Sequence, residues 1–355
     1  MEALIFHGAR RLEIEDAPAP QPGPDEVLIR VHACGICGSD LSGYVGHSPR
    51  RNAHIPLIMG HEFSGQVVEV GKDARRGAAE SLAPGDRVVV QPLIPCGVCP
   101  ACRAGQPNIC PNMAVLGIER AGAFADLVCA PADRVFKLPA QVSDLDATMT
   151  ETLAVQAHVF RTMAPPLLRT VVVLGAGPQG LLAAQLARLA GASNIIVTDL
   201  VAHRLEMARA MGATHTVQSS QEDADAIRVV ERVKTITGGW GAEFIVDTAG
   251  APATRQQGVA ALAPGGTLVL IGLGKGDTTL NFLPVVNREL HVRGSYAYTD
   301  DDFLRAVELI AAGQVRVREM IHLAPLSEGA QFFERLATQP EHLVKVVLQP
   351  GQARA

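Results

Sequence analysis

The sequence predicts an α/β protein with a β-rich first part and a doubly wound parallel sheet in the second. Three observations carry this. From about residue 165, six short apolar runs alternate with helical stretches. The first of those runs ends in a glycine turn that opens a helix. Before it, roughly the first 150 residues hold short apolar runs separated by Gly/Pro-rich turns, with no such alternation.

Each element follows in order. "EVLIRVHA" and "DRVVVQPL" are strand candidates, and "PAPQPGPDE" and "LAPGDR" are turns or loops. "TVVVLG" is a short, fully apolar strand, followed by helical "LLAAQLARLAG", which stops at Gly191. "NIIVTD" is the next strand and "RLEMARAMG" the next helix. Then come "HTVQ", a helix over 221–237, "AEFIVDTAG", a helix near 253–262, "GTLVLIGLG" and "ELHVRGS". Strands apolar throughout belong to a sheet covered on both faces. After 295, "DDDFLRAVELIAAG" is a helix and "LVKVVLQP" a closing strand.

The bulk numbers exclude several classes. The 355 residues, 48% hydrophobic and 19% charged, describe a globular chain long enough for two domains. A net charge of −5 with interspersed signs argues against nucleic acid as a partner. "MEALIFHGARRLEIED" lacks the apolar segment of a signal peptide, and no uninterrupted apolar run reaches about 18 residues, so no membrane partner is expected. The expected location is the cytoplasm, where clustered cysteines hold metal more often than they form disulfides.

The glycine turn "VVVLGAGPQGLLAAQ" places Gly175, Gly177 and Gly180 as G-x-G-x-x-G. The spacing gains force because it follows a strand, opens a helix and precedes an acid, Asp199, at the end of the next strand. Gly175 permits the tight turn, Gly177 lets the backbone approach a pyrophosphate, and Gly180 lets helix and sheet pack closely. The helix N-terminus offers N–H groups to the phosphates. Asp199 would bond the ribose hydroxyls and repel a 2′-phosphate, which favours NAD over NADP. Arg204 is a residue that could reach an adenosine phosphate, and the acid outweighs it.

Four of the seven cysteines crowd into "CGVCPACRAGQPNIC". Cys96, Cys99, Cys102 and Cys110 are spaced C-x2-C-x2-C-x7-C, which suits a closed, structural zinc site. An iron–sulfur run would bring its next cysteine after three residues instead of seven; a redox dithiol is the other rival. Upstream, "ACGICGSD" supplies Cys34 and Cys37, and "GHEFSG" supplies His61 and Glu62. A Cys, a His and an acid make an open zinc site with room for substrate.

Taken together, "CGICGSD", "GHEFSG", the four-cysteine lobe, "ETLAV" and the glycine turn resemble the zinc-containing medium-chain dehydrogenase/reductase family, in its polyol and threonine dehydrogenase branch. The resemblance covers essentially the whole chain. It implies a GroES-like catalytic domain over 1–151 and 295–355, with the structural-zinc lobe near 93–113, and a Rossmann NAD-binding domain over 152–294. It implies two zinc ions per chain. The catalytic one would be held by Cys37, His61 and either Glu62 or Glu151, a choice left open. Ser39 matches the proton-relay hydroxyl, and Asp40 would orient His61 from behind. Cys34 and Cys129 are read as core packing. Gln179, Arg204, Ile271, Gly272, Leu273, Ser295 and Tyr296 join the cofactor contacts by matching motifs. The sequence departs from the pattern at Ser42, where relatives carry a histidine that passes the proton on; His47 and His54 are weak substitutes. It departs again at Thr152, where proline is usual, with little consequence expected.

The implied function is zinc-dependent hydride transfer between NAD(H) and a secondary alcohol of a polyol, sugar alcohol, cyclitol or amino alcohol. The alternative within the family is a sugar-phosphate substrate met by "HSPRR" (His47–Arg51). The alternative from another class is a non-catalytic zinc-lobe binding protein, or a relative that has lost catalysis. By resemblance the chain would form a homodimer or homotetramer.

Overall fold

The computed structural model describes residues 1–74, 81–163, 167–219, 227–274, 276–340 and 342–351. The chain divides into two compact units: Met1–Ala154 with Thr299–Ala355, and Val155–Tyr298.

The first unit begins with strands β1 (Glu2–Gly8), β2 (Arg11–Asp16) and β3 (Glu26–Gly35), then helices α1 (Gly38–Tyr44) and α2 (Pro49–Asn52). Strands β4 (Leu57–Ile58), β5 (Glu62–Val70), β6 (Arg87–Val90) and β7 (Leu93–Ile94) follow. Helix α3 (Pro100–Arg103), strands β8 (Ala114–Val115), β9 (Leu127–Pro131) and β10 (Val135–Lys137), and helices α4 (Asp144–Ala147) and α5 (Thr150–Thr162) complete the run. The unit boundary falls inside α5.

The second unit holds β11 (Thr170–Leu174), α6 (Pro178–Leu189), β12 (Asn194–Asp199), α7 (Ala202–Ala210), β13 (His215–Gln218), α8 (Ile227–Ile236), β14 (Ala242–Asp247), α9 (Pro252–Ala261), β15 (Leu262–Leu270), α10 (Leu283–Asn287) and β16 (His291–Gly294). Its six strands lie in the order β13-β12-β11-β14-β15-β16, parallel throughout. This is the doubly wound sheet that the alternating pattern predicts. Strand β11 is buried at every position, as its unbroken apolar run requires. Helix α6 starts with proline at its first turn, and Gly191 follows its end at φ +80°, a left-handed stop. The strand expected from 266 begins earlier, at Leu262. The helix expected over 221–237 is present as Ile227–Ile236; 220–226 lie outside the described residues.

The chain then returns to the first unit through α11 (Asp300–Ala311), β17 (Ile321–Pro325), α12 (Gly329–Thr338) and β18 (Lys345–Gln349). Thr299 and Asp302 cap α11, and three acids occupy its first turn, where the helix dipole favours them. The large sheet of this unit runs β10-β6-β5-β3-β18-β17, with β9 also on β3. Strand β3 is therefore central. Its far end carries Cys34 and Gly35 between β5 on one side and β18 on the other. Ile29, Val31, Phe63, Val67, Phe124, Phe333 and Val346 fill the core beneath.

Candidate functional site

The four-cysteine lobe is a small loop structure based on the β7–β8 pair. Gly97 (φ +71°) and Gly105 (φ +74°) take conformations that a side chain would strain. Cys99 caps α3, its Sγ accepting the Cys102 N–H at 3.4 Å. Cys110 Sγ accepts the Cys96 N–H at 3.4 Å. The Cys99 and Cys110 sulfurs stand 3.8 Å apart. A disulfide needs about 2.05 Å, whereas tetrahedral zinc with bonds of about 2.3 Å gives an edge of about 3.8 Å. All four sulfurs lie within 4.8 Å of one another, room for a single ion and not for an iron–sulfur cluster. Backbone N–H groups of Val98 and then Cys99 pull the Cys96 thiol down to about 6. Desolvation, and then the neighbouring thiols, push Cys102 up to about 12. Four thiols this close cannot all ionise unaided, and a divalent cation removes the conflict.

The second cluster lies where β3 turns into α1 and where β5 begins. Ligand atoms of Cys37, His61 and Glu62 lie within 4.8 Å of one another. His61 and Glu62 are buried; Cys37 is partly open. Cys37 caps α1 and donates its N–H to Asp40 Oδ2 at 3.0 Å. Asp40 Oδ1 stands 3.3 Å from His61 Nδ1, which makes no regular hydrogen bond there. With Nδ1 turned to the carboxylate, Nε2 is the nitrogen left for an ion. Burial works against the Asp40 charge, but His61 and Arg51 outweigh it and hold this carboxyl at about 2. Burial likewise opposes a charged His61, yet Asp40 and Cys37 raise its pKa well above the ordinary value. The cluster therefore calls for positive charge, and a metal ion fits that demand.

Two sets of side chains that sequence reasoning missed support this cluster. Arg51, on α2, is 2% exposed and lies against Gly43, where a Cβ would come 2.7 Å from its Cδ. Its guanidinium donates to Asp40 Oδ1 at 2.8 Å, to the Ser39 carbonyl at 2.8 Å, to Ser39 Oγ at 3.3 Å and to the Gly117 carbonyl at 3.2 Å. The second set surrounds Glu62. Thr152 Oγ1 donates to Glu62 Oε1 at 2.9 Å, and Lys345 Nζ donates to Glu62 Oε2. Thr152 thus has a contact at the metal cluster, against the expectation of little consequence. Burial opposes the Lys345 charge, but Glu62, Cys37 and Glu151 outweigh it and raise its pKa. Glu151 stands outside the Cys37–His61–Glu62 cluster, in the first turn of α5.

The remaining expected residues are placed as follows. Ser39 and Ser42 are half-buried, and His47 and His54 are exposed. Cys34 is fully buried in the core. Cys129, expected in the core, is only partly buried on β9. Arg50 pairs with Glu119 at 2.7 Å.

In the second unit, Gly175 has φ +101°. A Cβ on Gly180 would meet the Gly175 carbonyl at 1.8 Å, so only glycine allows this approach of helix to turn. A Cβ on Gly177 would meet nothing within 4 Å, which leaves space over the start of α6. Asp199 Oδ2 accepts the Ala176 N–H at 2.6 Å, and Oδ1 accepts the Val201 N–H at 2.9 Å. Gln179 Oε1 accepts from Gln156 at 2.7 Å. Ile271 and Gly272 donate their N–H groups to the Asp247 carbonyl at 3.1 and 3.0 Å. Leu273 is 76% exposed, and Tyr296 is also exposed. Ser295 follows β16 and keeps its buried Oγ without a hydrogen bond. A glycine-lined gap at a helix N-terminus, with an acid beside it, fits a dinucleotide.

Comparison with known proteins adds to this. Residues 23–140 match the alcohol dehydrogenase GroES-like domain, and 178–312 match the zinc-binding dehydrogenase domain. The chain is 34% identical over 357 residues to a sorbitol dehydrogenase of Bacillus subtilis, covering 99% of this chain and 98% of that protein. A zinc-binding dehydrogenase structure from Sinorhizobium meliloti, bound to NADP, superposes with a TM-score of 0.89 at 32% identity, covering 98% and 99% of the two chains. An alcohol dehydrogenase structure from Escherichia coli, complexed with NADH, gives 0.88 at 30% identity, with coverage of 98% and 99%.

Proposed function

Because the chain belongs to the zinc-containing medium-chain dehydrogenase/reductase family, and is on that ground a zinc-dependent, NAD-linked oxidoreductase of alcohols, we propose that its substrate is a polar secondary alcohol: a polyol, sugar alcohol, cyclitol or amino alcohol. The observation that carries this is the convergence of Cys37, His61 and Glu62 within 4.8 Å. The full-length likeness to a sorbitol dehydrogenase supports the polyol class. Asp199 supports NAD(H) over NADP(H), since its carboxylate repels a 2′-phosphate.

The proposed roles are these. Cys37 and His61, with Glu62 or Glu151, hold the catalytic zinc; the four cysteines hold a structural one. When bound, zinc supplies Lewis acidity toward the substrate hydroxyl, and the nicotinamide accepts the hydride. Ser39 takes the hydroxyl proton. Asp40 fixes the His61 ring, and Arg51 fixes both Asp40 and the Ser39 backbone. The fingerprint glycines, with Gln179, Arg204, Ile271, Gly272, Leu273, Ser295 and Tyr296, line the cofactor. Catalysis belongs to 1–151 with 295–355, and cofactor binding to 152–294 together with Ser295 and Tyr296 just past that bound. Arg51 is committed to Asp40 and Ser39, so "HSPRR" gives little support to a phosphorylated substrate.

The chain acts on small molecules, and no helix among the described residues is long and apolar enough to cross a membrane. Location in the cytoplasm accords with seven unpaired cysteines. Assembly as a homodimer or homotetramer is supported by β16, an edge strand exposed at all four positions.

The test is NAD+ reduction across polyols, cyclitols, sugar phosphates and amino alcohols, with and without chelator. We expect chelator-sensitive oxidation of an unphosphorylated polar alcohol. A preference for NADP+ overturns the role of Asp199, and selective turnover of a sugar phosphate overturns the substrate class.

A further inference from the structure

Glu62 has both carboxylate oxygens engaged by other side chains of the chain. Thr152 Oγ1 donates to Oε1 at 2.9 Å, Lys345 Nζ donates to Oε2, and Lys345 Nζ also lies 3.5 Å from Thr152 Oγ1. The three residues are 1%, 3% and 2% exposed in the order Glu62, Thr152, Lys345. An ammonium group can only donate. Facing it, the Thr152 hydroxyl directs its own proton to Glu62.

The arrangement is built by three neighbouring strands. Gly35 on β3 lies opposite Glu62 on β5 and opposite Val347 on β18. A Cβ at position 35 would stand 2.6 Å from Glu62 Oε2 and 2.9 Å from Lys345 Cε. The missing side chain is the gap through which Lys345 reaches Glu62. Thr152 closes the other side from α5, at a position where proline, usual in relatives by resemblance, offers no side-chain donor.

We propose that Thr152 is a positioning residue: with Lys345, its hydroxyl holds Glu62 as a standby carboxylate beside the zinc site instead of a firm ligand, so that a coordination position stays open to the alcohol. This rests on the reading of Cys37 and His61 as zinc ligands. An oxygen that already accepts a hydrogen bond has less charge to offer an ion. Each oxygen still has a second lone pair, so coordination is weakened and not forbidden. Without the hydroxyl, a buried Oε1 loses a donor, and the ion becomes the partner that replaces it.

The test compares the zinc-loaded parent with Thr152→Val, Thr152→Ala and Thr152→Ser. Release of zinc to EDTA is followed with a metallochromic dye, and the cobalt-substituted proteins give a visible spectrum. We expect Thr152→Val and Thr152→Ala to release the catalytic zinc about tenfold more slowly. Their cobalt spectra shift, KM for the alcohol rises and kcat falls. Thr152→Ser restores the parent on every readout. Equal release rates and identical cobalt spectra overturn the proposal, and so does faster release, which would make Glu62 a firm ligand that Thr152 supports. A Cys37→Ala protein that keeps both zinc ions overturns the metal reading beneath it, a failure distinguishable from the first.

Discussion

The two cysteine-bearing clusters of the first unit are built in opposite ways. The lobe draws four identical ligands from fifteen consecutive positions, Cys96 to Cys110, and orients them with its own backbone N–H groups. The other brings together three different side chains, Cys37, His61 and Glu62, and behind them stand Asp40, Arg51, Thr152 and Lys345. A sulfur tetrahedron fills every coordination position of its ion, and N–H groups of its own short loop are enough to orient the sulfurs. A mixed site with an open position must hold unlike side chains in place without a closed cage, and here buried ion pairs from distant segments, Asp40–Arg51 and Glu62–Lys345, stand behind them. Closed coordination is cheap in sequence, whereas open coordination requires the fold.

That contrast can be tested in order of expected effect. Cys37→Ala removes a ligand of the open site; we expect one zinc fewer per chain and at least about a thousandfold less NAD+ reduction, since Lewis-acid assistance supplies several kcal/mol. Metal analysis with steady-state kinetics checks it, and full activity ends the catalytic-zinc reading. Arg51→Met strikes only the support. Asp40 and Arg51 are 0% and 2% exposed, and removing one partner of a buried pair costs about 3–5 kcal/mol. We expect a lower melting temperature and a roughly 10–100-fold loss of zinc affinity or activity; a variant as stable and active as the parent refutes the role. Cys110→Ser acts on the lobe. Here one zinc is lost and thermal inactivation quickens, while initial kcat and KM stay within about twofold. An immediate loss of turnover would show that the two clusters are not separable in function.

The same contrast explains what the sequence allowed to be read. The lobe is legible because its ligands are neighbours, so spacing alone indicates the coordination. The doubly wound sheet is legible because strand and helix periods alternate cleanly; the spatial order of its six strands comes from the structure. At the open site, combination and resemblance point to Cys37, His61, Glu62 and the supporting Asp40, but not to Arg51, Thr152 and Lys345 behind them. Arg51 sits in "SPRR", which reads as a solvated loop; only the folding of α2 against Gly43 buries it. Lys345 leaves a trace, a lysine inside the apolar run "LVKVVLQP", which signals a buried partner without naming it. Thr152 looked neutral because its effect depends on a carboxylate ninety positions away. Cys129 is expected in the core like Cys34, yet alternation along β9 turns it partly outward.

The gap at Gly35 also bears on how the polypeptide is made. Glu62 leaves the ribosome early, but the ammonium that offsets it arrives only after the entire intervening second unit has been synthesised. Until then the acid lacks that counter-charge. A nascent chain halted before β18 would hold Cys37, His61 and Glu62 and still lack Lys345 beside them.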